Sequence, residues 1–580
     1  MSSQQKIVTR PVSKDTGLFD DELHPLLRRI YLARSIQSQD LLNNSLTQLP
    51  SPKEMKGMEG AVNLLLIALE KRQKILVVAD FDADGATSCA VTLLGLRALG
   101  FDQVSYIVPN RFEYGYGLTP EIVELACEQN PDLIITVDNG ISSIEGVSAA
   151  KEKNCAVLVT DHHLPGDSLP NADAIINPNQ PGDSFPSKNL AGVGVAFYLL
   201  LALRSAMRER HYFKKQGASE PNLAELLDLV ALGTVADVVP LDHLNRVLVY
   251  QGLQRIRSGR ARPGILALLE VAKRQRHRVK SSDLGFAVGP RLNAAGRLED
   301  MSIGIECLLE DNEEKARKIA FELDGLNRVR REIEDDMKAE AMTILQKLNN
   351  TSEQQTPFAI CLFENGWHQG VIGIVASRIK EKFHRPVIAF AESDNGEIKG
   401  SARSIPGVHI RDVLSEIAAQ QPQMLNKFGG HAMAAGLTLK KSDLSQFREL
   451  FNQVVEKQLA GRAPEKIIET DGELDNEMLT LDIAEQLSVA GPWGQGFPEP
   501  LFQGEFEVLQ ARIVAEKHLK LVLGRAGGGS MVDAIAFFVD DPQSWIGCPR
   551  IKVAYQLDIN EYKGNRSLQL IVNYLEKLSS

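Results

Sequence analysis

Four short apolar runs with polar ends constrain this chain more than any other feature: KILVVAD (74–80), SYIVPN (105–110), DLIITVD (132–138) and AVLVTDHH (156–163). Each is too short for a buried helix and has the length of a strand. Helical segments such as SCAVTLLGLRALG and TPEIVELACEQN separate them. Continuous apolar strands spaced by helices predict a parallel sheet covered on both faces. Three of the runs end in aspartate or histidine. Ligands of open parallel sheets gather beyond the carboxyl ends of strands, so these ends should meet in one crevice.

A chain of 580 residues is too long for one hydrophobic core and suggests roughly three or four domains. Residues 1–50 form an N-terminal region with helical patterning around HPLLRRIYLAR, and residues 51–302 carry the parallel-sheet pattern. A connecting region follows at 303–350. Within it, Leu326, Val329, Ile333, Met337, Ala341, Leu345 and Leu348 recur at helical spacing, and Gly325 marks an expected break or kink. Residues 351–462 repeat an α/β pattern on a smaller scale, and 463–580 read as short strands of a small all-β barrel. The six cysteines are scattered without a Cys-x-x-Cys pair, which argues against a disulfide framework or thiolate zinc site. No apolar leader or membrane-length run appears, so a cytoplasmic protein is expected.

Net charge is −11, so an anionic partner would need a local basic groove or bound cations. Two basic runs, Arg255–Arg262 and Lys273–Lys280, suit a solvated face as well as such a groove. The acidic signal is sharper. Asp80, Asp82 and Asp84 alternate in DFDADG directly after a strand, and three carboxylates this close repel strongly unless cations neutralise them. An exposed acidic turn would explain that loop by itself. It does not explain Asp138 and the Asp161-His162-His163 run at further strand ends, or Asp237 within the apolar stretch LLDLVALGTVADVVPL. A carboxylate in that setting is costly unless paired or metal-bound.

With these motifs assembled, the chain resembles the DHH phosphoesterase superfamily: DADG, VDNG, DHH and GTVADV stand in the family's order. GPRLNAAGRLED and GGHAMAAGL resemble its RecJ exonuclease branch, and the likeness runs from about residue 50 to the end. It implies an α/β fold, with a parallel-sheet DHH domain and a smaller DHH-associated domain joined by a long helix, plus a C-terminal OB-like barrel. It also implies catalysis by two Mg2+ or Mn2+ ions. Asp82 would ligate one, Asp84, His162 and Asp237 the other, and Asp138 would bridge them. Asp161 would orient a histidine, and His163 would donate to the scissile phosphate. Many family members carry a histidine where this chain has Val78, leaving Asp80 or water to complete the first ion's shell.

Candidate substrate contacts are Arg111 in the glycine-containing PNRFEYGYG segment, Asn293 and Arg297 in GPRLNAAGRLED, Ser401 and Arg403 in GSAR, and Gly429-Gly430-His431. Guanidinium groups and bare glycine amides suit phosphate. Arg291 would serve structure. Phe112, Tyr114, Tyr116, Trp493 and Phe497 are candidates for base stacking, and GPWGQGFPEP reads as an ordered hinge. The resemblance implies 5′ to 3′ removal of nucleotides from single-stranded DNA in repair, recombination and mismatch repair. It also implies a helicase and a single-strand-binding protein as partners; a monomer is the expected state. Two rivals remain at this stage: a DHH enzyme acting on short oligonucleotides or cyclic dinucleotides, and a non-catalytic single-strand-binding module.

Overall fold

The computed structural model describes residues 5–14, 17–110, 114–351, 357–525, 531–562 and 564–578; Arg111 and Phe112 lie outside them. Two compact units emerge. One joins Thr9–Gly325 to Glu469–Ser580, and the other contains Leu326–Ile468.

The larger unit is built on five parallel strands, β1 (Ile75–Ala79), β2 (Val104–Ile107), β3 (Leu133–Val137), β4 (Ala156–Thr160) and β5 (Ala174–Ile176). Their spatial order is β2-β1-β3-β4-β5. The chain therefore reverses its direction of travel across the sheet at β1, which opens a crevice between the carboxyl ends of β1 and β3. β1 and β3 are buried along their whole length, as continuous Val/Ile/Leu runs require. Leu76 and Val78 pack with Ile134, Val157, Ile122 and Val147 on one face.

Helix α1 (Ala83–Ala98) follows β1 and is buried nearly all round. It can be, because Ala, Gly, Ser and Thr dominate its sequence and let neighbours approach closely. Those neighbours include α2 (Gly192–Glu209) and α3 (Leu227–Ala236). A further helix, α4 (Gly289–Leu298), carries GPRLNAAGRL.

The N-terminal region from Thr9 onward and the barrel belong to this same unit, joined through GPWGQGFPEP. Trp493 stacks on Phe497 at 4.9 Å between ring centroids, and Tyr31 lies 6.3 and 6.4 Å from the two. Arg34 and Arg246 cover these rings at 5.3 and 4.5 Å. Trp493 and Phe497 are thus core residues, 9% and 2% exposed, which decides for core packing between the two roles their sequence allowed. The glycines and prolines bend the chain so that Gly494 and Phe497 exchange backbone hydrogen bonds, which turns both rings inward. Arg34 also donates to both oxygens of Asp471, at 2.7 and 3.0 Å, in a fully buried pair.

The C-terminal strands Phe502–Val514, His518–Gly524, Val532–Ala536, Arg550–Tyr562 and Asn565–Lys577 close into a barrel. All pairings are antiparallel except that of Val532–Ala536 with Asn565–Lys577. In the smaller unit, five strands run in the order Leu425–Gly430, Ala434–Lys440, Glu397–Arg403, Val387–Glu392, Ile360–Phe363. The helix Glu313–Thr351 continues unbroken through Gly325, where a break or kink was expected. One glycine costs a helix only about 1 kcal/mol, which its long neighbouring turns absorb.

Removing one partner of a buried ion pair strands the other charge. Asp471→Ala should therefore lower unfolding stability by about 3–5 kcal/mol in denaturant titration. Arg34→Met combined with Asp471→Leu should recover most of the loss.

Candidate metal centre

The DFDADG loop leaves β1 at the crevice. Asp82 caps α1, its Oδ1 accepting from the amides of Asp84 (2.9 Å) and Gly85 (3.1 Å). Asp84 sits in the first turn and is buried; its oxygens accept from Gly192 (2.6 Å) and Val193 (3.1 Å) at the start of α2. Two helix amino termini thus converge on two carboxylates, where their partial positive charge is stabilising. The loop is held from outside by α4. Asn293 Oδ1 accepts from Ala83 N at 2.8 Å, and a Cβ on Gly296 would stand 2.0 Å from the Phe81 carbonyl oxygen. Close packing against that loop explains the small residues of GPRLNAAGRL.

Asp138 follows β3 in a left-handed conformation (φ 62°), which aspartate tolerates better than most residues. Its turn is knitted by Asn139, which donates to the carbonyls of Val78 (3.2 Å) and Val137 (3.0 Å), and by Thr136, which donates to the Asn139 carbonyl (2.7 Å). Val78, at the histidine position of the family pattern, points into the apolar layer under the sheet. Asp237 lies just past the end of α3, where the helix dipole opposes a negative charge.

These elements bring the candidate ligands together. His162 Nε2 is 3.2 Å from Asp138 Oδ1 and 3.5 Å from Asp237 Oδ2. Ligand atoms lie within 4.8 Å of one another in three sets: Asp84, His162 and Asp237; Asp80, Asp82 and Asp138; and Asp138, His162 and His163. Asp80, one of the two candidates to complete the first ion's shell, falls within ligating reach. Asp138 Oδ1 is buried and, among the described residues, accepts no hydrogen bond although His162 Nε2 stands 3.2 Å away. A buried, bare carboxylate oxygen beside an imidazole nitrogen fits a shared divalent cation, and an oxygen-rich set with one or two imidazoles suits Mg2+ or Mn2+.

The electrostatics say the same. Burial and then the charge of Asp82 push Asp84 up to about 7, against the pull of the Gly192 and Val193 amides. Burial and the neighbouring aspartates hold Asp138 and Asp237 well above the usual carboxylate range. Asp161 differs. Burial works to raise it, but it falls below its ordinary value because it accepts from His163 Nδ1 (2.8 Å) and from the amides of Ile141, His162 and His163. His163 is raised in turn, its burial outweighed by Asp161.

Two participants were not singled out from sequence as parts of this centre. Gly192 was one: a Cβ there would lie 2.6 Å from Asp138 Cβ and 2.7 Å from its Oδ1. Its only trace in the sequence is the AGVGVAF start of an apolar helix. Tyr116, considered only for stacking, donates to the Asp138 carbonyl at 3.2 Å and lies 3.2 Å from His163 Nδ1. Arg291 pairs with Asp324 at 2.8 Å, and Arg297 lies half-buried in the last turn of α4. In the smaller unit, Gly429, Gly436 and Ser401 form one row across three strands, with Arg403 opposite Ala434 and His431 just beyond the edge strand. Arg403 donates to Ser401 Oγ at 3.2 Å.

Family models match three regions of the chain: the DHH family, N-terminal domain at residues 74–234, the DHHA1 domain at 355–457, and the RecJ OB domain at 470–574. A Salmonella typhimurium protein named single-stranded-DNA-specific exonuclease RecJ is 52% identical, over 98% of this chain and 99% of its own length. The crystal structure of RecJ in complex with Mn2+ from Thermus thermophilus superposes with a TM-score of 0.80. It is 30% identical, and the match covers all of this chain and 80% of that one. The Mg2+ complex from the same organism gives 0.74 at 27% identity, covering all of this chain and 79% of that one.

Gly192→Ala should push the Asp138 side chain aside and weaken Mn2+ binding by about 10–100-fold in calorimetric titration, with the circular dichroism spectrum retained. The raised carboxylates also set a pH dependence. Between roughly pH 4 and 7 the metal-free folded chain binds more protons than the unfolded chain, so its stability falls as pH rises. Melting temperature in EDTA should therefore drop across that window, and saturating Mn2+ should remove the decline.

Proposed function

The chain belongs to the RecJ family of single-stranded-DNA-specific exonucleases, and on that footing we propose that it removes nucleotides from the 5′ end of single-stranded DNA by metal-dependent phosphodiester hydrolysis. One observation carries this reading: carboxylates from three separate segments, the DFDADG loop after β1, Asp138 after β3 and Asp237 after α3, gather with His162 into sets of ligand atoms within 4.8 Å of one another.

Asp84, His162 and Asp237 would hold one cation, Asp80 and Asp82 the other, and Asp138 would contribute to both. Two such cations supply Lewis acidity and neutralise charge at a phosphodiester. The protein's own groups do the rest. The amides of Gly192 and Val193 fix the two oxygens of Asp84, and the Asn139 and Thr136 bonds fix the turn that presents Asp138. Asp161 holds the His163 ring through Nδ1 and so presents Nε2, which lies 3.3 Å from the Tyr116 hydroxyl, as the donor that a phosphate oxygen would engage. The Tyr116 hydroxyl, 3.2 and 3.3 Å from the two ring nitrogens, braces the same ring. Arg297, Ser401, the neighbouring Gly429 and Gly430, and the Arg403 and His431 side chains supply donors suited to the DNA backbone. The Arg111 assignment rests on its sequence context.

The barrel favours long single strands over dinucleotides, since five-stranded barrels of this type offer a face to several nucleotides. A helicase would supply such strands in the cell, a single-strand-binding protein would cover them, and the setting would be cytoplasmic.

Digestion of a single strand labelled at its 5′ end should release labelled mononucleotide from the first turnovers in Mn2+, whereas a 3′ label should be released last. Asp138→Ala should cut the rate by on the order of a thousandfold or more, the several kcal/mol that metal catalysis supplies. Retained turnover in a folded, Mn2+-saturated Asp138→Ala protein would refute its role.

A further inference from the structure

Next to the metal centre the larger unit has a second cavity. Its volume is about 350 Å3, and Val235 and Val238, on either side of Asp237 in the chain, form part of its wall. Leu241, Leu253, Pro492 and Trp493 give it an apolar floor. Phe286 stands at its edge with 81% of its surface exposed, the highest value among the large apolar side chains of the described residues. A bare phenylalanine loses free energy to water unless something covers it.

The backbone that presents these residues is unusual as well. Phe286 sits on a π-helical turn, Leu284–Val288, a form that is rare and concentrated at functional sites. Val238 has φ 63° and is 62% exposed, although a β-branched residue is strained in that region. Such costs persist where the surrounding structure fixes them for a purpose. Charge supplies the remaining clue. Arg257 and Lys280, one from each basic run of the sequence, line the same cavity. Lys273, Arg274 and Arg278 line the polar cavity beside it, of about 900 Å3, which reaches the barrel. Glu499, Asp283, Asp558 and Glu561 line these cavities too and pair with Lys280, Arg274 and Arg278. Arg257 and Lys273 have no acidic partner among the described residues, so in a chain of net charge −11 the lining beside the apolar slot keeps a basic excess.

We propose that this cleft is a nucleobase subsite, in which Phe286 stacks on one unpaired base of the strand held at the metal centre while Arg257 faces a flanking phosphate. An aromatic face serves every base alike, and the cations follow the backbone, so the subsite selects single strands without selecting sequence. The inference rests on the single-stranded-DNA reading above and extends it to a place on the protein. An apolar peptide would use the same floor but would bring no countercharge to Arg257, which donates only to the Val279 carbonyl and forms no ion pair among the described residues.

The test uses the full chain, a 20-nucleotide strand with 2-aminopurine at successive positions from the 5′ end, and Ca2+ in place of Mn2+ to prevent turnover. Stacking quenches the fluorophore. The wild type should quench it strongly at one internal position, Phe286→Ala should restore the emission there, and Phe286→Trp should quench it again. Affinity for the strand should fall about 5–150-fold in Phe286→Ala, the value of one base stack. Mn2+-dependent hydrolysis of thymidine 5′-p-nitrophenyl phosphate, which engages the metal centre alone, should stay within about twofold. The subsite is overturned if no position separates wild type from Phe286→Ala, or if the small substrate slows as much as the strand does. Failure of the wild type to digest single strands at all would instead overturn the underlying function.

Discussion

Mutual repulsion among buried carboxylates governs the larger unit. Asp80, Asp84 and Asp138 are almost wholly enclosed, with Asp82 and Asp237 beside them. Left ionised and unpaired, such groups would cost more than a domain's net stability. The fold meets this in two ways. It aims backbone amides at some of the oxygens, at Asp82, Asp84 and Asp161, and it leaves others, notably Asp138 Oδ1, bare. Satisfied oxygens fix geometry, and bare ones are where a cation gains most. The sheet order, the helix starts and the small residues of α1 all serve to bring these groups close.

Much of this was legible in the sequence because charge at the end of an apolar run is conspicuous. The parallel sheet follows from KILVV, DLIITV and AVLVT, and Asp138, His162 and Asp237 stand out against their surroundings. Residues that act through absence were not legible. Gly192 matters because it has no side chain, and nothing about AGVGVAF says which distant carboxylate needs the room. Phe286 was invisible for a similar reason: exposure is a property of the fold, and LGFAV reads as ordinary core. Trp493 and Phe497 were undecided in the sequence, where core packing and base stacking suit an aromatic equally, and the ordered glycine- and proline-rich stretch wraps both inward.

The grouping of the chain into units was also beyond the reach of periodicity. Tyr31 and Arg34 are more than 400 residues from Asp471 and Trp493, yet they share one buried cluster. Contacts at that separation are costly in loop-closure entropy but only logarithmically so. A cluster of stacked rings and a buried ion pair suffices to tie the N-terminal region to the barrel-bearing segment.

The closure of the barrel sets a limit on how it can engage anything. A sheet with a free edge can accept an extended chain as one more strand, through backbone hydrogen bonds that ignore side-chain identity. Here the five strands return upon themselves, so that mode is closed off. Whatever lies on the barrel must do so across its side chains, and recognition there is written in residue type, not in backbone geometry. Surface substitutions on this segment can accordingly drift in a way that retunes contacts without disturbing the ladder beneath.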